Sequence, residues 1–141
     1  MKKLSCGGLI FNSKGEFLIA RPRWDSPNWN IPKGEKRPDE TPRDCALREI
    51  EEETGIVPSM ISFMLDLGQF EYLPGKDVHL FQITLNTEIE KPVCRSLYEE
   101  AGEWRPEMVD FKWIHFEDRG KWISKTIAKT IELARHQTET L

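Results

Sequence analysis

Residues Gly34 to Ile56 read GEKRPDETPRDCALREIEEETGI, and Glu49, Glu51, Glu52 and Glu53 crowd the end of this stretch. The pattern predicts a helix. Thr41 is a candidate N-cap, Pro42 suits the first helical position, and Asp44 makes Thr-Pro-Arg-Asp close to a capping box. Ala46, Leu47 and Ile50 supply an apolar stripe for a core, and Gly55 stands where a helix-ending glycine is expected. On such a helix Glu49, Glu52 and Glu53 fall at i, i+3 and i+4 and share a face. Like charges at that spacing destabilise an isolated helix by roughly 0.2–0.5 kcal/mol per pair. A cation reverses the sign. Hard divalent ions such as Mg2+ take oxygen ligands and keep waters and substrate phosphate oxygens around them. This face therefore reads as a metal-binding surface that meets a phosphate, against the plainer alternative of a solvated acidic face. The preceding Pro32-Lys33-Gly34 reads as a turn that can aim backbone groups at the same place.

Upstream of the helix, Leu4 to Asn12 and Phe17 to Ala20 read as a hairpin of two strands. Gly7 and Gly8 weaken the first strand, which implies either a bulge or the close approach of a ligand. The loop that follows carries Arg21, Arg23, Trp24 and Trp29. Its arginines are either surface residues or grips for phosphate oxygens, whose geometry suits guanidinium forks. Its tryptophans either pack internally or stack on a base.

Downstream, Met60 to Tyr72 alternates as a strand, Leu73-Pro74-Gly75-Lys76 turns, and Asp77 to Asn86 returns. Val78, Leu80, Ile83 and Leu85 change phase along the return strand, so Phe81 is expected on the other face. Glu88 to Arg105 is polar and reads as a long connection, with Glu99, Glu100 and Glu103 near its end. Pro106 to Ile114 is a turn into a short strand. A last helix carries Ile123, Ile127, Ile131 and Ala134 as one core-facing stripe.

With 141 residues, the chain suits one domain over 1–141 of α/β class. No apolar run reaches bilayer length, so no membrane partner is expected. Three scattered cysteines suggest neither a zinc site nor a disulfide frame and suit a reducing cytoplasm. A net charge of -4 argues against a general nucleic-acid coat but not against a phosphorylated small molecule.

Gly34, Glu40, Arg48, Glu49, Ile50, Glu52, Glu53, Gly55 and Ile56 fill every defined position of the Nudix box, and the chain resembles that family from Leu4 to about Ala134. The resemblance implies a Nudix-type α/β/α sandwich with a mixed curved sheet. It implies hydrolysis of a phosphoanhydride bond in a nucleoside diphosphate derivative, with Mg2+ or Mn2+ held by Glu49, Glu52, Glu53 and the Lys33 carbonyl. Glu52 or Glu53 would take a proton from the attacking water, and Arg48 would hold Glu52 in place. Glu107, just before a strand ending in Trp113-Ile114, is the best-fitting further acid, with Glu99, Glu100 and Glu103 as rivals. Pro32-Lys33-Gly34 and the strand opened by Lys76 are similar to the diadenosine tetraphosphate hydrolase-like branch, although His79 and Leu80 stand where that branch has aromatics. Arg21, Arg23, Trp29, Lys33, Lys76 and Phe81 are the expected substrate contacts. The alternatives are an RNA 5′-end pyrophosphohydrolase, an NTP or ADP-ribose pyrophosphatase, and a non-catalytic nucleotide-binding module. The last is disfavoured because every box glutamate is present.

Overall fold

The computed structural model describes residues 2–23 and 28–139. Trp24 lies outside them. Strand β1 (Lys3–Phe11) is the axis of the sheet. Along one edge it runs parallel to β5 (Lys76–Leu85) in unbroken register from Lys3↔Lys76 to Phe11↔Thr84. Its other edge is divided. The short β3 (Lys33–Glu35) pairs with its first half at Ser5 to Gly7, and β2 (Phe17–Pro22) meets its end at Phe11↔Phe17. Strand β4 (Ile61–Leu73) flanks β5, and β8 (Met108–Ile114) flanks β2; both pairings are antiparallel. The expected Pro-Lys-Gly turn is thus a third strand, laid against β1.

Both faces of this mixed sheet are covered, and β5 accordingly sends Val78 and Leu80 to one core and Phe81, Ile83 and Leu85 to the other. Helix α1 (Pro42–Thr54) buries Cys45, Ala46 and Ile50 against Cys6, Ile10, Leu18, Phe81, Ile83 and Leu85. Helix α2 (Lys125–Glu139) buries Ile127, Ile131 and Ala134, with Ile123 just before it, against Leu9, Phe17, Ile19, Val78 and Leu80. Phe81 therefore faces away from Val78 and Leu80, as expected, and Ile83 and Leu85 share its face.

The ends of α1 follow the sequence. Thr41 is extended and its hydroxyl accepts the Asp44 N–H at 3.1 Å. Gly55 is left-handed at φ 78° and donates to the Glu51 carbonyl. Gly7 and Gly8 serve the chain's own packing. A Cβ on Gly7 would overlap Pro32 and Lys33, and one on Gly8 would come within 2.9 Å of both Ile50 and Ile83. The ligand wall considered for this pair gives way to that explanation.

The long connection before Glu107 is corrected. It contains a separate hairpin, β6 (Leu97–Glu100) and β7 (Glu103–Pro106). The strands are only four residues each, and their turn places Ala101 and Gly102 at φ 52° and 83°. Both central residues have positive φ, the backbone that two-residue hairpin turns favour.

Candidate active site

The acidic face of α1 is organised by one cation. Arg48 reaches the Glu40 carboxylate through Nη2 at 2.6 Å and Nε at 3.0 Å. Its Nη1 donates to Glu49 at 2.7 Å and to Glu52 at 3.3 Å, and Nη2 also donates to the Glu35 carbonyl at 3.2 Å. The two-point bond to Glu40 uses the fork geometry that distinguishes arginine from lysine. The hydrogen bond from Arg48 holds the Glu40 carboxyl down to about 2. The same bond raises the Arg48 guanidinium further above its already high range.

Glu53 lies one turn on and differs in kind. It is 2 % exposed, and its Oε2 has no hydrogen-bond partner among the described residues. Burial pushes its carboxyl well above the usual range, the charge and hydrogen bond of Glu49 add to this, and Glu107 adds again. The Lys33 ammonium opposes the shift. Glu49 is also raised, first by burial, with Arg48 opposing. A Cβ on Gly34 would overlap the Glu49 carboxyl, so the box glycine leaves the space that this carboxyl fills. Glu53 is thus the point where Glu49, Lys33 and Glu107 converge electrostatically. Glu107, just before β8, lies near enough for its charge to act on Glu53. Glu100 accepts from Tyr98 and Glu103 from Arg105, both on the exposed hairpin.

Among the described residues no group of three acidic, His or Cys side chains is gathered closely enough to hold a metal as it stands. The donors nevertheless suit a hard divalent ion. They are carboxylate oxygens, one of them buried with no partner, and Glu49 and Glu52 would have to turn from Arg48 to join it.

Lys33 also belongs to a second feature. Its ammonium stands 5.2 Å from the centre of the Tyr72 ring. Both line a cavity of about 350 Å³ together with Asn30, Lys76, Ser124 and Thr126. The sequence reading placed Lys33 and Lys76 near substrate but missed Tyr72. Its signal was an aromatic just before the Pro74-Gly75 turn, which brings it back beside Lys76.

Two expected contacts are corrected. Trp29 is 7 % exposed and packs edge-to-face on Trp122 in the α2-side core. Phe81 is 2 % exposed in the α1-side core, with His79 stacked on it. Rings so enclosed offer no face to a base. Arg21 lies 5.9 Å over the Trp29 ring, a packing role beside the core. Arg23 donates its backbone N–H to the Glu107 carbonyl at 2.9 Å and so stands next to the site.

A mixed sheet between two helices, one of them bearing glutamates ordered by a single arginine, makes an α/β/α sandwich with one acidic face. The sequence model of the NUDIX domain matches residues 1–129, and the chain belongs to the Nudix family as a pyrophosphohydrolase. A 17.7 kDa protein from Enterobacteria phage T4, described as uncharacterized, is 33 % identical over 81 % of this chain and 83 % of its own. The m7GpppN-mRNA hydrolase of Saccharomyces cerevisiae is 28 % identical over 88 % of this chain, which spans only 11 % of that enzyme. The structure of a Caenorhabditis elegans Ap4A hydrolase binary complex superposes with a TM-score of 0.70 at 22 % identity, covering 96 % of each chain, a likeness of fold. No helix among the described residues is long and apolar enough to cross a membrane.

Proposed function

We propose that the substrate is a dinucleoside polyphosphate, cleaved at a phosphoanhydride bond over the acidic face of α1. The observation that carries this reading is the cavity of about 350 Å³ joined to that face through Lys33. Lys33 and Lys76 supply two ammonium groups and Tyr72 an aromatic face, apart from the glutamates. That arrangement suits a substrate whose phosphates and nucleoside extend well past the bond being broken.

Glu49, Glu52, Glu53 and the Lys33 carbonyl would hold Mg2+ or Mn2+, which when bound would polarise the anhydride and acidify a water. Glu53, buried and raised in basicity, or Glu52 takes a proton from the attacking water. Glu107 supports Glu53 from the other side. Arg48 fixes Glu52 and Glu49 by hydrogen bonds rather than touching substrate. Arg23 and Lys76 neutralise phosphate charge. The three free thiols, Cys6 and Cys45 among them buried, suit a reducing cytoplasm.

The test is a rate comparison at equal concentration of dinucleoside polyphosphates, ADP-ribose, NTPs and triphosphorylated RNA, with Mg2+ or Mn2+. Dinucleoside polyphosphates should be hydrolysed fastest. Glu53→Gln should lower that rate by about 10²-fold or more, and near-parental turnover would remove Glu53 from its role. A second reading, an RNA 5′ end as substrate, is favoured by the likeness to the yeast mRNA hydrolase. It predicts that the RNA arm of the panel leads.

A further inference from the structure

Asn30 lines the same cavity as Lys33, Tyr72 and Lys76, and its backbone is held on both sides. Its N–H donates to the Ala20 carbonyl and its carbonyl accepts the Ala20 N–H, both at 2.8 Å. Before it, Trp29 is buried and donates its N–H to the Trp122 carbonyl at 3.2 Å. After it, Ile31 is buried in the α2-side core. With both backbone groups engaged, the side-chain amide is what Asn30 can offer the cavity. The Ile31 N–H donates to the Asn30 Oδ1 at 2.8 Å. That bond fixes which way round the amide sits, because the flipped amide would set Nδ2 against another donor. Oδ1 is therefore tied to the backbone, and Nδ2 is the end that the amide turns to a ligand.

The rest of the polar lining has the same character. Lys33 and Lys76 can only donate. The Ser124 Oγ accepts the Ile127 N–H at 3.3 Å, which leaves its own proton to turn outward. Every lining side chain whose role is fixed by a bond or by its chemistry thus donates. The remainder of the lining is apolar and consists of the Tyr72 ring, Leu73 and Ile127. A bare phosphate would leave that part unmatched. A flat heterocycle with acceptors along one edge meets both parts, and about 350 Å³ falls in the size range of small-ligand pockets. The Lys33 ammonium stands 5.2 Å from the centre of the Tyr72 ring, so a base resting on that ring meets a cation at its edge.

Purines differ along that edge. A 6-oxopurine such as guanine presents two acceptors, O6 and N7, whereas adenine presents the N7 acceptor beside an N6 amino donor. An unconstrained asparagine takes adenine with both ends of its amide. Asn30 cannot, since its Oδ1 is held by Ile31. Donor would face donor at N6, and a polar group left unpaired in a closed site discriminates strongly. We propose that the cavity takes a 6-oxopurine, with Asn30 Nδ2 and Lys33 donating to O6 and N7 over the Tyr72 ring, so that Asn30 sets the base preference of the enzyme. This deepens the proposed function and rests on it for placing a nucleoside in this cavity.

The experiment titrates GMP, IMP and AMP into isotope-labelled protein and follows the Asn30 side-chain amide by NMR. None of the three has an anhydride bond, so hydrolysis does not intervene. GMP and IMP should bind about tenfold more tightly than AMP and should shift the Asn30 amide signal. Asn30→Asp keeps an acceptor for the Ile31 N–H and turns a second acceptor to the cavity, so the preference should reverse toward AMP. Asn30→Ala should abolish the preference. A residue that only shaped the cavity would change all three affinities together, as Tyr72→Leu should, because stacking serves any base. In turnover, kcat/KM should be higher for diguanosine than for diadenosine tetraphosphate if the source is a dinucleotide. It should be higher for triphosphorylated RNA beginning with G than with A if the source is an RNA end. Absence of binding by all three nucleotides, equal affinity of GMP and AMP, a GMP preference that IMP does not share, or an Asn30→Asp variant that still prefers GMP overturns the inference. If the parent protein hydrolyses nothing in the panel while the GMP preference and its reversal hold, the proposed substrate falls and the base-reading role of Asn30 stands.

Discussion

Arg48 does two jobs with one planar group, and Glu40 is what frees it to do so. Bound at two points to Glu40, the guanidinium keeps a single orientation while its remaining donors reach Glu49 and Glu52. A lysine could make one of these contacts at a time. The Glu40 carboxyl is held down to about 2 from an ordinary value near 4.5. A depressed acid stabilises the fold above its unfolded value and loses that contribution as pH falls through the folded one. Acid unfolding should therefore include a component between about pH 4.5 and 2, which Glu40→Gln abolishes. Thermal melts of the two proteins across that range should converge at the acid end. Curves that stay parallel down to pH 2 would show that Glu40 carries no such linkage.

At the scale of elements, α1 was legible because its signals are local. Thr41, Pro42, Ala46, Ile50 and Gly55 each act within one or two turns, and all of them behave as read. The return strand was legible for the same reason, down to the reversed facing of Phe81. The hairpin was not. Leu97–Glu100 and Glu103–Pro106 have no apolar alternation to announce strands, and what fixes them is the bonding of residues 93–96 to the end of a distant helix. The place of Trp29 was left open for a related reason. Whether Trp29 packs or stacks is decided by Trp122, far along the chain, and not by its neighbours. The glycine of β3 offers a test that separates an element's stability from its use. Gly34→Ala forces only the end of a flexible Glu49 side chain to move, so the melting temperature should change by a few degrees at most. The carboxyl would nevertheless be displaced, and misplacement of about 1 Å in a catalytic group lowers rate by about 10²-fold. Activity and thermal melting of this variant check both halves, and a large drop in melting temperature would contradict the separation.

At the scale of the whole molecule, the sheet divides the apolar residues into two cores served by different helices. The α2 side is built around Ile127, Ile131 and Ala134 and underlies the polar cavity at Ser124 and Thr126. The α1 side carries the proposed chemistry, and only a short distance of chain separates its packing from its charge. Ile50 and Glu53 lie on the same buried flank of one helix, so the core that seats Ile50 also desolvates Glu53. The resemblance read from the box gave the correct architecture because the box encodes this junction. It gave less about the residues proposed to meet substrate, which are drawn from β4, β5 and the start of α2.

The bonds from Arg95 and Ser96 to the Glu52 carbonyl have a consequence for how the protein opens. Two amides converge on one acceptor, so neither segment can detach without exposing the other's polar groups. Local unfolding should then proceed in blocks rather than strand by strand. The amides of Arg95 and Ser96 should exchange with deuterium at the rate of those in α1 and well behind those at the Ala101–Gly102 tip. Exchange of these two amides at the pace of the tip would show a hairpin that breathes alone. If the block holds, the helix that bears the glutamates is insured against fraying at its vulnerable end by a piece of chain that arrives about forty residues later.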